Sequence, residues 1–433
     1  MQQHKPLTLL SNFSWTFAGN IVYAVCQWGM LVVLARLGTP EMVGQFTLGL
    51  AVTAPAILFT NLQLREIQAT DAKRQYEFGD YLGLRILSTA VFWVIIIGVI
   101  VVVDYGRETA WIIFLLGVSR SLDALSDVFY GFIQLHEQMN RIAISVMMRG
   151  ILSVLLLGMG VYLSESMVGG AIGLIIASFL VLTLYDLHSS VSVLQQTSLP
   201  GSTVHLSRSI GMNWFRPQWQ WQRLQQLAWY ALPLGLVLLL FSLNVNIPRY
   251  LVEWQFDEHT LGIFAAIASL PLAGNLVIKA LGQSTIPRLA RYYAEGRRAA
   301  FRRLLLKLVG IGALLGGLGL LVVFAWGREL LTLLFGVEYG QQAHLLVWLM
   351  LPATIDYAAS FLGDGMTAAR YIRSQIPLFV SVTTILVIAC LWLLPAMGLV
   401  GIAIALLLAA ITRIVISLGI IGHAIYRLKP STR

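Results

Sequence analysis

Long apolar stretches recur along the whole chain, with short polar or charged segments between them. A helix that crosses the hydrocarbon core of a bilayer needs about 20 mostly apolar residues. We therefore expect an all-α polytopic membrane protein with twelve transmembrane helices. The pattern places them at residues 13–36, 42–63, 82–103, 110–134, 142–163, 167–187, 227–250, 259–281, 304–325, 342–363, 376–395 and 397–422. The run 328–334 predicts a short interfacial helix before the tenth span.

Composition supports this reading and excludes several other classes of protein. Hydrophobic residues make up 58% of the 433 residues and charged residues only 11%, whereas soluble domains carry about 25% charged residues. The mean hydropathy of +0.79 excludes a disordered chain. The two cysteines, Cys26 and Cys390, lie inside apolar runs, so we read them as small core residues and not as a disulfide framework.

The basic residues indicate how the chain is oriented. With the N-terminus inside, 20 of the 29 Lys and Arg residues fall in cytoplasmic segments, four fall outside and five lie within spans. Because Lys and Arg favour the cytoplasmic side, we expect both termini to be cytoplasmic. The outside loops 38–41, 104–109 and 164–166 are too short for a folded extracytoplasmic domain.

The longest polar stretch, residues 188–226, lies near the middle of the chain and separates six spans from six. It predicts an amino-terminal lobe at 1–187, a cytoplasmic linker at 188–226 and a carboxy-terminal lobe at 227–433. The end of the linker, 214–223, interleaves aromatic residues with two arginines. We interpret it as an interfacial segment on anionic headgroups. The net charge of +9 fits cytoplasmic loops, so no nucleic-acid partner is expected.

The two halves of the chain share a short repeated sequence pattern. An arginine ends span one (Arg36) and span seven (Arg249), and a Gly-x-Phe triplet begins the next helix at Gly44 and again at Gly262, 218 residues later. Both next helices contain a proline. The pattern is typical of parallel repeats with a substrate path between them.

Charged residues deep in a span are costly and usually face a cavity or a partner. Arg120 lies about ten residues into the fourth span, with Asp123 and Asp127 at i+3 and i+7 on the same helical face. Two readings remain: a stripe that binds substrate, or an internal ion pair that supports packing. In the second half, Asp356 serves ion coupling or pairs with Arg413, and Lys279 can extend to the headgroups.

Several strings resemble those of a known family. They are Phe59-Thr-Asn-Leu-Gln-Leu-Arg65, Asp80-Tyr-Leu-Gly-Leu-Arg85, Asn246-Ile-Pro-Arg-Tyr-Leu-Val-Glu253 and Leu261-Gly-Ile-Phe-Ala-Ala266. Together with the predicted architecture they resemble the oligosaccharide flippases of the O-antigen or Wzx type. These flippases belong to the multidrug/oligosaccharidyl-lipid/polysaccharide exporter superfamily.

The resemblance implies two six-helix lobes in a V around a central cavity. It also implies transfer of undecaprenyl-diphosphate-linked oligosaccharide from the inner to the outer leaflet of the bacterial inner membrane, in contact with membrane lipids and with polysaccharide polymerase or export machinery. Cations suit a diphosphate, and arginine binds phosphate with two parallel hydrogen bonds. The candidate substrate-binding residues are Arg120, Asp123, Asp127, Asn244, Asn246, Arg249, Lys279 and Arg413.

Two alternatives are kept. A membrane glycan polymerase or ligase would be an enzyme, but the sequence has no H-E-x-x-H, Gly-x-Ser-x-Gly or P-loop motif and no large outer loop. A cation-coupled drug exporter of the same superfamily would be expected to carry an acid in its first lobe, and span one has none.

The sequence predicts no metal site and no cofactor. Gly312 and Gly316 lie within a span, where we expect close helix packing and not nucleotide binding.

Overall fold

The computed structural model describes residues 9–71, 75–197, 216–371 and 374–427, and nearly all of them are helical. The first part of the chain forms α1 (Leu9–Leu37), α2 (Pro40–Asn61), α3 (Leu64–Thr70), α4 (Phe78–Val103), α5 (Arg107–Leu135), α6 (Met139–Ser164) and α7 (Met167–Leu180). A π-helical stretch at Val181–Asp186 joins α7 to α8 (Leu187–Thr197).

The later part forms α9 (Trp221–Gln255), α10 (Glu258–Ala294), α11 (Arg298–Leu334), α12 (Val337–Gly340), α13 (Ala343–Ala368), α14 (Gln375–Met397) and α15 (Leu399–Arg427). The run 328–334, expected as a separate interfacial helix, continues α11 beyond a kink at Trp326, whose φ and ψ are −131° and 20°.

Among the described residues, ten helices are long and apolar enough to cross a membrane. Each predicted span lies largely within a helix. Two of the twelve predicted spans, 110–134 in α5 and 227–250 in α9, are not among these ten helices. Helix α5 has 29 residues, which is about 44 Å and longer than the hydrocarbon core, but Arg120, Asp123 and Asp127 make it less apolar. The exact number of twelve stays a prediction.

By its internal contacts the chain divides into two units, Met1–Asn246 and Ile247–Arg433. The division falls inside α9, next to Pro248, which cannot donate a backbone hydrogen bond. The lobe and linker boundaries drawn from the sequence stay a prediction. In the first unit, α1 packs on α6, α6 on α7, and α5 on α2, α3, α4 and α7.

The second unit is centred on α13, which contacts α10, α11 and α15, while α14 packs on α15. The two glycines for which close packing was expected allow this arrangement. A Cβ atom on Gly312 would lie 2.8 Å from the carbonyl oxygen of Tyr357, and one on Gly316 would lie 2.6 Å from the Cα of Thr354. Small residues therefore bring the backbones of α11 and α13 close together.

Candidate functional site

The first unit contains a buried ion cluster centred on Arg149 of α6. Its guanidinium lies 3.0 Å from a carboxylate oxygen of Asp123 on α5 and 3.0 Å from one of Asp186, at the end of the π-helical stretch. It also donates a hydrogen bond of 2.7 Å to the Ser126 hydroxyl. Because a buried charge is costly unless it is paired and hydrogen-bonded, Arg149 connects α5, α6 and the π-helical stretch.

Hydroxyl groups complete the hydrogen bonding of the two acids. Ser178 donates to Asp123 at 2.9 Å, and Ser145 donates to Asp186 at 2.5 Å. A serine hydroxyl has a single proton, so the Tyr130 hydroxyl, 2.7 Å from Ser145, is the donor in that contact. The acids are thereby held as acceptors, and the cluster has a fixed arrangement of donors.

Arg120 is the most loosely held cation of this cluster. Its guanidinium lies 3.8 Å from Asp123, an acid that Arg149 already holds at the shorter distance, and 30% of the Arg120 side chain is exposed. A recess with a volume of about 20 Å³, enough for one water molecule, adjoins it. Four helices, α1, α5, α6 and α7, line the recess with polar residues: Tyr23, Gln27, Ser119, Arg120, Asp123, Arg149, Ser153 and Ser178.

Arg120, Asp123 and Asp127, which were expected to share one face of the helix, are only partly in contact with one another. Arg120 pairs with Asp123, but Asp127 is bound by Arg85 of α4 at 3.3 Å and by Arg65 of α3 at 3.6 Å. Two helical turns separate Arg120 from Asp127, a rise of about 10.5 Å, so cations on neighbouring helices reach Asp127 first. Arg85 also donates a 2.5 Å hydrogen bond to the Asn61 side chain.

The sequence therefore identified Arg120 and both acids of α5 but missed the partners that hold them. Arg85 and Arg149 were recognisable only as cations within spans, and Asp186 only as an acid at the end of one. Helical periodicity shows which residues share a face of one helix and does not show which residue of another helix they meet.

The candidates of the second half are arranged differently. Arg413 of α15 and Asp356 of α13 form an ion pair of 3.0 Å, and the guanidinium lies over the ring of Phe379. Lys279 is exposed, and Arg249 is half-buried in the last turns of α9.

The two asparagines among the candidate substrate-binding residues, Asn244 and Asn246, lie on α9. The buried Asn246 amide donates to the backbone oxygen of Ser242 at 2.8 Å, so one donor is used within its own helix. The side chain of Asn244 lies outside the residues whose side chains the structure describes. The structure thus places Arg120, Asp123 and Asp127 in one charged region of the first unit, which also contains Arg65, Arg85, Arg149 and Asp186. In the second unit it pairs Arg413 with Asp356.

Known proteins resemble the chain over most of its length. It is 27% identical to the capsular polysaccharide biosynthesis protein CapF of Staphylococcus aureus over 401 residues, which cover 92% of this chain and 95% of CapF. An inward-facing multidrug resistance MATE family transporter of the MOP superfamily has a similar fold, with a TM-score of 0.72, 13% identity, and coverage of 94% of this chain and 96% of the transporter.

A second solved structure, the lipid II flippase MurJ in an inward closed conformation, matches with a TM-score of 0.65 and 11% identity, covering 95% of this chain and 88% of MurJ. At these identities the two structures establish a shared fold and no more. The sequence profile of a family described as polysaccharide biosynthesis protein matches residues 9–293. This chain of membrane-spanning helices is therefore a member of the polysaccharide biosynthesis protein family.

Proposed function

We propose that this chain is a flippase that moves an undecaprenyl-diphosphate-linked oligosaccharide from the inner to the outer leaflet of a bacterial inner membrane. Family membership supports a role in supplying lipid-linked precursors for surface polysaccharide. The name of MurJ, a flippase of lipid II with a similar fold, supports the transport of a lipid-linked glycan. The proposal makes the chain a transporter and not an enzyme.

The observation that carries the proposal is that Arg120 is held by fewer contacts than the other arginines near it. Three other arginines of the charged region, Arg65, Arg85 and Arg149, each hold a carboxylate and at least one further hydrogen-bonding group. Arg120 shares its acid at 3.8 Å and is 30% exposed, whereas Arg149, which lines the same polar recess, is 7% exposed. Because the recess holds about one water molecule, we propose that it widens during transport. The Arg120 guanidinium can then offer two parallel N–H groups to a phosphate oxygen pair while Arg149 keeps its contacts with Asp123 and Asp186.

We further propose that transport proceeds by alternating access, with both termini and the linker in the cytoplasm. The repeat in the sequence and the excess of basic residues in alternate loops support this. A cysteine placed at 198–215, in a chain without Cys26 and Cys390, is expected to react only with reagent applied from the cytoplasm. Reaction with an impermeant reagent outside intact cells would contradict the orientation.

The role of Arg120 is tested by glycan export in cells that depend on this chain. In Arg120→Ala, Asp123 keeps its contacts with Arg149 and Ser178, so the protein is expected to insert at normal levels but to lose export by at least about tenfold. Arg120→Lys is expected to recover export only in part, because an ammonium cannot form the paired hydrogen bonds of a guanidinium.

Arg107→Ala is the matched control, since Arg107 is an exposed residue at the start of the same helix. It is expected to export normally. Wild-type export by Arg120→Ala would refute a role of Arg120 in binding. Loss of inserted protein in that variant would instead assign Arg120 to packing.

A further inference from the structure

The helical hairpin formed by the end of α10 and the start of α11 carries an unusual concentration of charge. Seven cations lie exposed on it: Arg288, Arg291, Arg297, Arg298, Arg302, Arg303 and Lys307. The same stretch contains one acid, Glu295. Glu295 accepts from Arg291 at 2.7 Å and from Arg297 at 3.4 Å, and the bond from Arg291 lowers its pKa below the ordinary value.

The other five cations form no ion pair with an Asp or Glu among the residues that the structure describes. Arg288 and Arg297 do both contact the ring of Tyr292, at 5.7 and 5.0 Å from its centroid. The hairpin therefore presents five exposed cations with which no acidic side chain of the described residues forms an ion pair.

The depth of this surface in the membrane follows from α11. Residues 308–327 contain no charged side chain, and 20 helical residues span about 30 Å, the thickness of the hydrocarbon core. Lys307 therefore lies where α11 enters the hydrocarbon, and Arg302 and Arg303 lie about one turn further out, at the level of the headgroups.

The same face of α11 continues into the lipid. Arg302, Arg303 and Lys307 surround Leu306, which is 61% exposed, and the face continues with Leu314, which is also 61% exposed. A helix that places exposed cations directly before an exposed apolar stripe matches the boundary between headgroups and acyl chains.

We propose that Arg302, Arg303 and Lys307 form a docking surface for anionic phospholipid headgroups. A soluble acidic protein could reach Arg291 or Arg298 but would have to enter the headgroup layer to reach Lys307. Anionic lipids are already there, and each Lys or Arg near an anionic membrane surface strengthens attachment about fivefold. The surface belongs to the second unit and the region around Arg120 to the first.

The test uses the purified full-length protein in detergent and measures lipid retention by native mass spectrometry, with phosphatidylglycerol and phosphatidylethanolamine of identical acyl chains as probes. The wild type is expected to retain phosphatidylglycerol at about tenfold lower added concentration than phosphatidylethanolamine. The triple change Arg302→Gln, Arg303→Gln and Lys307→Gln is expected to reduce this preference to about twofold or less.

The control triple Arg36→Gln, Arg107→Gln and Arg328→Gln removes the same charge at other exposed positions and is expected to keep the wild-type preference. Thermal unfolding of both triples checks that they are folded. An unchanged preference in the first triple, an equal loss in the control, or no preference in the wild type would each overturn the proposal, and the last would favour a soluble acidic partner.

Discussion

Two arginines of the same charged region differ in what surrounds them. Arg149 is 7% exposed and contacts two carboxylates and a hydroxyl, whereas Arg120 is 30% exposed and shares one carboxylate at a longer distance. Removing one partner of a buried ion pair leaves the others charged and unpaired, which costs far more than losing an exposed pair. We therefore expect Arg149 to be a structural residue, and we propose Arg120 as the residue that meets a ligand.

This difference predicts opposite responses to the same substitution. Arg149→Leu leaves Asp123 and Asp186 without their main cation and is expected to destabilise the protein by about 3–5 kcal/mol. Arg120→Leu is expected to leave the thermal unfolding midpoint in detergent nearly unchanged. Combining Arg149→Leu with Asp186→Asn is expected to recover part of the loss. Equal midpoints for the two single variants would contradict the assignment of roles.

At the residue scale, the sequence predicted what is local. The depth of Arg120 in its span and its i+3 relation to Asp123 follow from counting, and the structure has that pair at 3.8 Å. The partners of Asp127 did not follow, because Arg65 and Arg85 come from α3 and α4 and meet α5 only through tertiary packing. The ion pair of Asp356 with Arg413, left open by the sequence, is present at 3.0 Å.

At the scale of elements, the segment just before α9 is attached to the start of α4. The backbone N–H of Gln218 donates to the Gly79 oxygen at 2.9 Å, and its side-chain amide donates to Glu77 at 2.6 Å. Arg223 lies 3.5 Å from the buried Asp80. The segment expected at the membrane interface thus contacts α4 through Gln218 and Arg223. Trp219 and Trp221 of the same segment remain more than half exposed. Trp214 and Phe215 lie outside the described residues.

The attachment depends on glycine at position 83. A methyl group there would run into the backbone carbonyl oxygen of Gln218, whereas one on Gly98 of the same helix would meet no atom within 4 Å. Gly83→Ala is expected to destabilise the protein by about 1–3 kcal/mol, lowering the thermal unfolding midpoint. Gly98→Ala, the control, is expected to leave the midpoint unchanged or to raise it. A wild-type midpoint for Gly83→Ala would show that the attachment contributes nothing to stability.

The repeat seen in the sequence has a counterpart in the helix starts. The Thr39 side chain caps α2 by accepting from the backbone N–H of Met42, and Asp257 caps α10 by accepting from Thr260. Both capping residues and both donors are separated by 218 residues, the same spacing as Gly44 and Gly262. Hydrogen bonds from Thr260 lower the pKa of Asp257, so this cap stays ionised. The spacing of the caps strengthens the case for an internal repeat.

At the scale of the whole molecule, hydropathy predicted the helices well, because every spanning segment must satisfy its own backbone hydrogen bonds in lipid. Hydropathy predicted the ends of the helices less accurately. Helix α9 begins at Trp221 and not at 227, and α10 continues to Ala294, well beyond 281. Outside the hydrocarbon, helices are extended by contacts with other segments, and these leave no signal in hydropathy.

The central claim is that this chain moves a lipid-linked oligosaccharide across a bilayer. Its most direct test is purified protein reconstituted into vesicles that carry fluorescent undecaprenyl-diphosphate oligosaccharide, with exposure of the label to a membrane-impermeant quencher followed over time. The account predicts transfer between leaflets with the wild-type protein, and only the slow background of protein-free vesicles with Arg120→Ala. Wild-type protein that is folded and inserted but transfers no faster than protein-free vesicles would contradict it.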